Sequence, residues 1–399
     1  MQVADALARV LADASALPSE SVVLADAHGR VLAQDLAALR TQPPAAVSAM
    51  DGYAVRGADV AQAPVTLKVI GEIAAGHPFE GSVGNGEAAR IFTGAVMPAG
   101  SDTVVIQENT ARDGDRVTVQ TPAALGRNVR AAGIDFKQGS TLLRQGRRLT
   151  DRDLMLAAAM NYPALPVHKR PKVAVLGTGD ELVMPGSTPK PGEIVYSNGF
   201  ALSALARSAG ASVIELGIAR DSLDDIVAAV RRARAEDADI LLTSGGASVG
   251  DHDLVQRALA SEGLDLSFWR VALRPGRPMM HGRLEGMHVL GVPGNPVSSY
   301  VCAFLFLGPL ICKLSGRSDI EPVPERALLA VDLPENDERA DYLRATLTQG
   351  PDGPLATPVP VQDSSLMASL ARADCLLIRA PHAPAARAGT PCVILKLAL

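Results

Sequence analysis

The chain has 399 residues, of which 47% are apolar and 20% are charged, a composition typical of a folded globular protein. This length exceeds one ordinary hydrophobic core, so we expect about two to four domains. A formal net charge of −5 and an aromatic content of 3% provide neither the basic field nor the stacking surfaces that nucleic-acid binding needs.

The sequence carries no recognisable structural metal site, secretory signal or membrane span. Its seven histidines lack metal-ligand spacing, and its cysteines are scattered without a C-x-x-C pair, at Cys302, Cys312, Cys375 and Cys392. The first residues lack the basic and apolar regions of a signal peptide. The most apolar stretch, residues 297–310, is short for a bilayer and is typical of a core helix. We therefore expect a cytoplasmic enzyme without a membrane partner.

The first third of the chain reads as a helical domain with a β-rich insertion. Residues 1–40 are predicted to be helical and start with an amphipathic helix. Residues 45–136 contain short β-prone runs separated by Gly and Asp turns, which predicts an all-β unit. Residues 137–168 return to a helical pattern, clearest at 151–160. We therefore predict a discontinuous support domain of helical and extended segments, residues 1–44 and 137–170, interrupted by an inserted β domain of residues 45–136.

Strand and helix signals alternate after residue 170. Apolar runs at 172–176, 240–242 and 288–292 are typical of buried parallel strands. Asn198 is a candidate cap for a helix that Gly210 stops, and Ser222 opens another helix with a capping-box pattern. This alternation predicts a doubly wound α/β domain over residues 171–316. Residues 317–399 carry short β runs and are predicted to form a small C-terminal β domain.

A glycine-bearing loop follows each of the three apolar runs. These loops are GTGDEL at 177–182, TSGGASVG at 243–250 and PGNPVS at 293–298. In an open α/β sheet, ligands bind outside the carboxyl ends of the strands, so the three loops predict one shared site. Glycines allow close approach of the backbone, and Ser and Thr hydroxyls add donors. Together the loops look like a cradle for an oxyanion or a phosphate.

The polar residues of the first two loops each allow two interpretations. Asp180 and Glu181 follow a strand and could hold Mg²⁺ or orient water, although an exposed acidic turn explains them equally well. The Gly245-Gly246 pair could form an anion-binding nest. Asp251 and Asp253 lie close enough in sequence to share a cation. A glycine-rich connection that ends in a helix cap at Asp251 is the alternative.

The third loop and an arginine-rich turn also allow more than one interpretation. Asn295 suits an N-cap and Pro296 suits a first helical turn, so the helix would present N–H groups and partial positive charge to an anion. Arg270, Arg274 and Arg277 fall within eight residues. Their guanidinium groups could hold an oxyanion at two points, whereas a solvated basic turn is the simpler explanation.

Six stretches occur together in one order, at residues 48–55, 91–95, 177–182, 243–250, 274–278 and 291–298. In this combination the chain resembles the MoeA family of molybdopterin molybdenumtransferases, which is similar to the C-terminal domain of gephyrin. The resemblance implies insertion of molybdate into adenylylated molybdopterin with Mg²⁺-dependent release of AMP. It also implies a homodimer with its cleft between subunits, and the molybdopterin-adenylylating enzyme is a candidate partner.

The resemblance implies roles for individual residues. The catalytic group comprises Asp51, Asp180, Glu181 and Asp221, and the metal ligands are Asp251 and Asp253. Substrate binding is assigned to Thr93, Asp135, Ser244, Gly245, Gly246, Ser248, Arg270, Arg274, Arg277, Pro293, Gly294, Asn295, Pro296 and Ser298. The arginines stand where the family usually has lysine, which keeps the charge but changes the geometry.

Two other functions are compatible with parts of the pattern. A molybdopterin adenylyltransferase shares the α/β domain with its glycine loops, but it lacks the stretch at 48–55 and the C-terminal β domain. A non-catalytic scaffold similar to gephyrin needs a further linker and a partner domain, and the 399 residues contain neither.

Overall fold

The computed structural model describes residues 1–245 and 254–397. Its first part contains the helices α1 (Val3–Ala12) and α2 (Asp151–Ala159), with 3₁₀ turns at Leu24–Asp26, Gly57–Val60 and Gln107–Asn109. The strands of this part are β1 (Ser19–Val23), β2 (Leu36–Ala37), β3 (Val47–Ser48), β4 (Gly52–Val55), β5 (Val65–Ile73), β6 (Glu87–Ile91), β7 (Thr103–Ile106), β8 (Thr110–Asp113), β9 (Arg116–Val119), β10 (Val129–Arg130), β11 (Thr141–Leu143) and β12 (Ala164–His168).

A six-stranded sheet dominates residues 45–136. Its strand order is β7-β4-β6-β5-β9-β8, and β5 and β6 are its parallel pair. Successive residues of β4 face opposite sides, because Ala54 and Val55 belong to different apolar clusters. A sheet buried on both faces accounts for the β-rich composition that predicts an inserted β domain here.

The helical prediction for residues 1–40 and 137–168 is wrong outside α1 and α2. Strand β1 pairs antiparallel with β12, and β2 pairs with β11. A small core that includes Leu32, Leu143 and Leu165 lies beneath them. In each pair, one strand precedes the inserted sheet in the sequence and the other follows it. Because the partner is so distant in sequence, neither strand shows a periodic pattern that would predict it.

The α/β part follows α2 and β12. Its strands are β13 (Lys172–Thr178), β14 (Leu182–Val183), β15 (Ile194–Val195), β16 (Ser212–Ala219), β17 (Ile240–Ser244), β18 (Asp265–Arg270), β19 (Leu273–Arg274), β20 (Pro278–Leu284) and β21 (Met287–Val292). Its helices are α3 (Asn198–Ala209), α4 (Leu223–Ala235), α5 (Leu254–Ser261), α6 (Pro296–Cys302) and α7 (Gly308–Leu314).

The main sheet of this part is doubly wound. The strand order is β16-β13-β17-β21-β20-β18. Strands β16, β13, β17 and β21 are parallel, β20 pairs antiparallel with β21, and β18 pairs antiparallel with β20. Helices α1, α3, α6 and α7 pack on one face around Val175 and Leu242. Helices α4 and α5 pack on the other face around Leu176 and Leu241. This arrangement confirms the predicted fold class.

Local signals place most helix ends correctly. Gly210 ends α3 in the left-handed conformation, with φ of 108°. Ser222 caps α4 by accepting a hydrogen bond from the Asp225 amide at 3.1 Å. Asn198 is not the cap of α3, because it is the first helical residue and Ser197 holds the cap position.

The most apolar segment forms a core helix. It spans Pro296–Leu314, with α6 and α7 joined by a π-helical turn at Ala303–Leu307. This helix is long and apolar enough to cross a membrane, but 89% of its most apolar stretch is buried within the protein. The burial against the α/β sheet agrees with the prediction of a core helix.

The C-terminal part is a closed β-barrel. It contains β22 (Glu325–Leu329), β23 (Ala340–Gly350), β24 (Gly353–Pro358), α8 (Met367–Ala371), β25 (Cys375–Arg379) and β26 (Pro391–Lys396). The strand order is β19-β23-β24-β22-β26-β25, and pairing of β23 with β25 closes the ring. Strand β19 comes from the α/β part, so its pairing with β23 attaches the barrel to that part.

Candidate functional site

The three glycine-bearing loops start at one edge of the α/β sheet, and the second of them is described as far as Gly245. Strands β13, β17 and β21 are adjacent and parallel, so their carboxyl ends point the same way. A cavity of about 990 Å³ opens at that edge. This volume lies at the upper end of the range of about 300–1,000 Å³ that is typical of small-molecule sites.

Predicted site residues form a large share of the cavity wall. Those that line it are Glu181, Asp221, Ser244, Gly245, Pro293, Gly294, Asn295 and Pro296. The wall also contains the end of β13, strand β15, the segment 196–198, the start of α5, Ser365 and the first residue of α8, Met367. The cavity therefore draws on both the α/β part and the C-terminal part.

Gly179 allows the carboxylate of Glu181 to reach its place at the cavity. Gly179 has φ of 147°, a conformation that L-residues with side chains rarely adopt. A Cβ atom at this position would lie 2.5 Å from Glu181 Oε2. Glycine is therefore required here both for its backbone conformation and for the close approach of a carboxylate.

Asp180 and Asp221 hold two neighbouring loops together. The Asp180 amide donates to Asp221 Oδ2 at 3.3 Å, and the Asp221 amide donates to Asp180 Oδ1 at 3.2 Å. The exchange ties the loop after β13 to the loop after β16 and brings two carboxylates close together. Oxygen donors of this kind suit Mg²⁺.

The described residues do not by themselves make a complete metal site. Within residues 1–245 and 254–397, no group of three or more His, Cys, Asp or Glu side chains is arranged to hold a metal ion. The predicted ligands Asp251 and Asp253 lie outside the described residues, as do Gly246 and Ser248 of the predicted anion cradle.

Asn198 joins two of the cavity loops, a role that the sequence analysis missed. Its Nδ2 atom donates to Ser244 Oγ at 2.8 Å and to the Gly294 carbonyl at 2.7 Å. The sequence did offer one indication of this role: Ser197 precedes Asn198 and can occupy the cap position in its place. The side-chain amide is thereby freed to connect the ends of β17 and β21.

Tyr196 is a second missed residue of the wall. It is buried, and Cβ atoms at Gly177 or Gly199 would come within 2.5 Å of its ring or hydroxyl. Burial, with a smaller contribution from Glu215, raises the pKa of Tyr196 to about 12. The hydroxyl therefore stays neutral at physiological pH and offers a donor rather than a charge.

The amino end of α6 is less available to an anion than the sequence predicts. Asn295 holds the cap position but makes no side-chain cap bond. Instead its Nδ2 donates to Ser364 Oγ at 2.9 Å, and the Val297 amide donates to the Ser364 carbonyl at 3.0 Å. A segment from the C-terminal part thus takes up one of the helix-end N–H groups, which no local pattern could reveal.

Two serines of α6 lie near the cavity loops without lining the cavity wall. The hydroxyls of Ser299 and Ser244 lie 3.4 Å apart. Ser298 is also buried, and its contact with substrate stays a prediction. The two residues point in different directions because successive helical positions are rotated by about 100°.

None of the three predicted arginines lines the described cavity wall. Arg274 Nε donates to Asp341 Oδ1 at 2.7 Å, and its Nη1 lies 3.2 Å from Asp337 Oδ2. The hydrogen bond to Asp341 raises the pKa of Arg274. Arg270 and Arg277 are exposed and form no ion pair with the parts of the chain that the structure describes. Their predicted contact with an oxyanion stays a prediction.

The predicted residues of the β insertion stand apart from the cavity. Asp51 Oδ1 accepts hydrogen bonds from the Thr93 hydroxyl at 2.7 Å and the Thr93 amide at 2.8 Å, which together lower the pKa of Asp51. Both residues are exposed, and so is Asp135 in the loop before β11. None of them borders the cavity of their own chain.

Comparison with known proteins places similarity along nearly the whole chain. Family models match at residues 1–161 (MoeA N-terminal region, domains I and II), 174–313 (probable molybdopterin binding domain) and 326–397 (MoeA C-terminal region, domain IV).

Curated relatives and a solved structure agree with those matches. The molybdopterin molybdenumtransferase of Nostoc sp. is 39% identical over 82% of this chain and 77% of its own length. The enzyme of the same name from Haemophilus influenzae is 34% identical over 90% of this chain and 89% of its own. The crystal structure of a molybdopterin biosynthesis MoeA protein from Pyrococcus horikoshii superposes with a TM-score of 0.86, at 29% identity and 99% coverage of both chains.

Proposed function

Because this chain belongs to the MoeA family, a family of transferases in molybdenum cofactor biosynthesis, we propose that it inserts molybdate into adenylylated molybdopterin and releases AMP. In the proposed reaction molybdenum keeps its oxidation state. The two dithiolene sulfurs replace two oxygens of molybdate, which leave as two waters with the two thiol protons and two protons from solvent. Another water cleaves the phosphoanhydride and yields AMP and the pterin phosphate.

The main support for this proposal is that residues of all three loops line one large cavity. The cavity of about 990 Å³ is large enough for much of a pterin–nucleotide conjugate. Its wall presents the Ser244 hydroxyl, which accepts from Asn198 and so keeps its own proton to donate to a phosphate oxygen. A polar cradle at the ends of parallel strands favours a phosphorylated ligand.

Carboxylates on one side of the cavity support hydrolysis of the phosphoanhydride. Glu181 and Asp221 line the wall, and Asp180 lies beside Asp221. We assign these residues to holding a cation and orienting the attacking water. Mg²⁺, when bound with the help of Asp251 and Asp253, would withdraw charge from the phosphoanhydride.

The separation of Asp51 from the cavity supports a site shared between two chains. Asp51 and Thr93 are exposed and do not border the cavity of their own chain. Large apolar side chains of β1 and α2 are also exposed, with Val23 at 57% and Met155 at 72%, and a second chain could cover them. We therefore propose a cytoplasmic homodimer in which Asp51 reaches the partner's cavity, supplied with substrate by the adenylylating enzyme.

The decisive test is AMP release from adenylylated molybdopterin by the purified full-length protein, with Mg²⁺, in the presence and absence of molybdate. We expect release that depends on molybdate, with molybdenum appearing on the pterin. Formation of adenylylated product from ATP and molybdopterin would instead identify an adenylyltransferase. Tight binding of the conjugate without turnover would favour a carrier or scaffold.

A further inference from the structure

A second crevice in the molecule is lined by five cationic side chains and no carboxylate. It lies where the β1–β12 pair meets the ends of α3 and α7, and it shares no lining residue with the cavity described above. The cationic residues that line it are Arg30, Arg148, Lys169, Arg170 and Arg317. This crevice, called the junction crevice below, has no role in the proposed transfer reaction.

Carboxylates balance only part of this positive charge. Arg30 pairs with Glu20, and Arg317 Nη2 pairs with Asp319 Oδ2 at 2.6 Å. Arg148 donates to the Ser208 carbonyl at 3.1 Å near the end of α3, where the helix dipole is negative.

Lys169 and Arg170 are without an ion-pair partner among residues 1–245 and 254–397. The described surroundings therefore leave the crevice with a net positive charge.

The cations are also close enough to repel one another. Burial and the charges of Arg30 and Arg148 lower the pKa of Arg170. Arg30 is only 8% exposed and cannot turn away, because it is held by Glu20 and by the His168 carbonyl at 2.8 Å. Like charges held together in partly desolvated surroundings are costly, and a bound anion would remove that cost.

His168 adds a buried polar atom without a partner. Its Nδ1 lies 2.7 Å from the Leu17 carbonyl, so this nitrogen carries the proton. Its Nε2 atom is buried and has no hydrogen-bond partner in the described structure. With the proton on Nδ1, Nε2 is an acceptor and offers nothing to an anion, so the positive charge of the junction crevice comes from its five cationic side chains.

We propose that the junction crevice binds a tetrahedral oxyanion, either free or as the phosphate group of a nucleotide. The space inside is about 10 Å³, which is no more than one water molecule occupies. The anion therefore lies at the mouth, where Lys169 and Arg170 are exposed and Arg148 is nearby.

The test measures the binding of inorganic phosphate to the full-length protein by calorimetry and by the rise in Tm, with chloride at equal ionic strength as the reference. The variant is Lys169→Gln/Arg170→Gln, whose side chains are exposed and whose loss should leave the fold intact. The matched control is Arg116→Gln/Arg326→Gln, which removes two exposed arginines elsewhere. We expect phosphate affinity to fall about tenfold or more in the variant and to stay unchanged in the control.

AMP and molybdate, titrated in the same way, distinguish the sources of the oxyanion. Sensitivity of AMP binding alone to the double variant would support a nucleotide phosphate as the ligand. Sensitivity of phosphate or molybdate binding would support a free oxyanion. Equal stabilisation by phosphate and chloride, or binding that ignores the double variant, would overturn the proposal. The main cavity, where the proposed function expects AMP and molybdate, shares no lining residue with the crevice, so only the part of the binding that the double variant removes reports on the crevice.

Discussion

Arg274 holds the carboxylate of Asp341 through two parallel hydrogen bonds, from Nε to Oδ1 at 2.7 Å and from Nη2 to Oδ2 at 2.5 Å. The same two residues are partners in the pairing of β19 with β23. A lysine could not make this bidentate contact. The arginine therefore connects the turn after β18 to the C-terminal barrel, whatever else it contacts when a substrate is bound.

Replacing Arg274 with Gln should destabilise the protein because it leaves the Asp341 carboxylate buried without its cation. Asp341 is 5% exposed. We expect the free energy of unfolding in urea to fall by about 1–3 kcal/mol, the usual range for hydrogen bonds to charged groups. Arg277→Gln is the control, since Arg277 is exposed, and it should change stability by less than about 0.5 kcal/mol. Equal stability of the two variants would contradict a structural role for Arg274.

Asn198→Ala should lower kcat/KM with little loss of stability. The substitution removes the donor that links Ser244 Oγ to the Gly294 carbonyl, so the loops after β17 and β21 lose their register. A displacement of about 1 Å in a site can cost roughly a hundredfold in rate, and we expect a loss of about tenfold to a hundredfold. Asn109→Ala, in a 3₁₀ turn of the inserted sheet, is the matched control. Wild-type kinetics in Asn198→Ala would exclude this positioning role.

Gly179→Ala should reduce activity through the position of Glu181. The added Cβ would lie 2.5 Å from Glu181 Oε2, so the carboxylate must move. Gly186→Ala is a close control, because Gly186 also has positive φ, at 92°, but has no atom within 4 Å of the added Cβ. Both variants place a side chain at a positive φ, and only Gly179→Ala adds the clash. We expect kcat to fall in Gly179→Ala alone, and a similar loss in both would assign the effect to strain.

Thr93→Val should raise the pKa of Asp51 towards its ordinary range. The hydroxyl of Thr93 is the largest cause of the lowered pKa, and the amide of Thr93, which remains, is the second. If ionised Asp51 is needed for turnover, the acid limb of the pH–activity profile should move to higher pH. Thr93→Ser keeps the hydroxyl and should leave the profile unchanged. Carboxyl NMR of Asp51 measures the same shift directly, and an unmoved resonance would refute it.

The parts of the fold that follow from local patterns are those that the sequence predicts well. The apolar runs of β13, β17 and β21 are buried on both faces, so their composition identifies them as parallel strands. Once these three strands are parallel neighbours, the loops behind them must share an edge. The location of the cavity could therefore be predicted without knowing any contact.

What the sequence could not predict depends on partners that are distant along the chain. Strand β1 needs β12 before it is a strand at all. Ser364 reaches the amino end of α6 from the C-terminal part, and Asp341 engages Arg274 from the barrel. In each case the residue type allows several contacts, and only the tertiary arrangement selects one.

The stacked pair of His281 and His288 predicts how stability depends on pH. The rings lie 5.8 Å apart and are buried, and desolvation lowers their pKa values to about 4 and about 3. The charge of Arg283 lowers both pKa values further, while Asp13 acts in the opposite direction on His281. Both imidazoles therefore stay neutral in the folded protein at pH values where the unfolded chain is protonated.

The sign of the effect follows from proton binding. Between the ordinary histidine pKa near 6.5 and the lowered values, the unfolded state binds more protons than the folded state, so acidification favours unfolding. We expect each imidazole to reduce the free energy of unfolding by up to about 1.4 kcal/mol per pH unit below pH 6.5. Urea denaturation at a series of pH values measures this slope. His288→Gln should flatten it and the exposed His77→Gln should not, whereas an equal slope in the wild type and His288→Gln would show that the pair is not responsible.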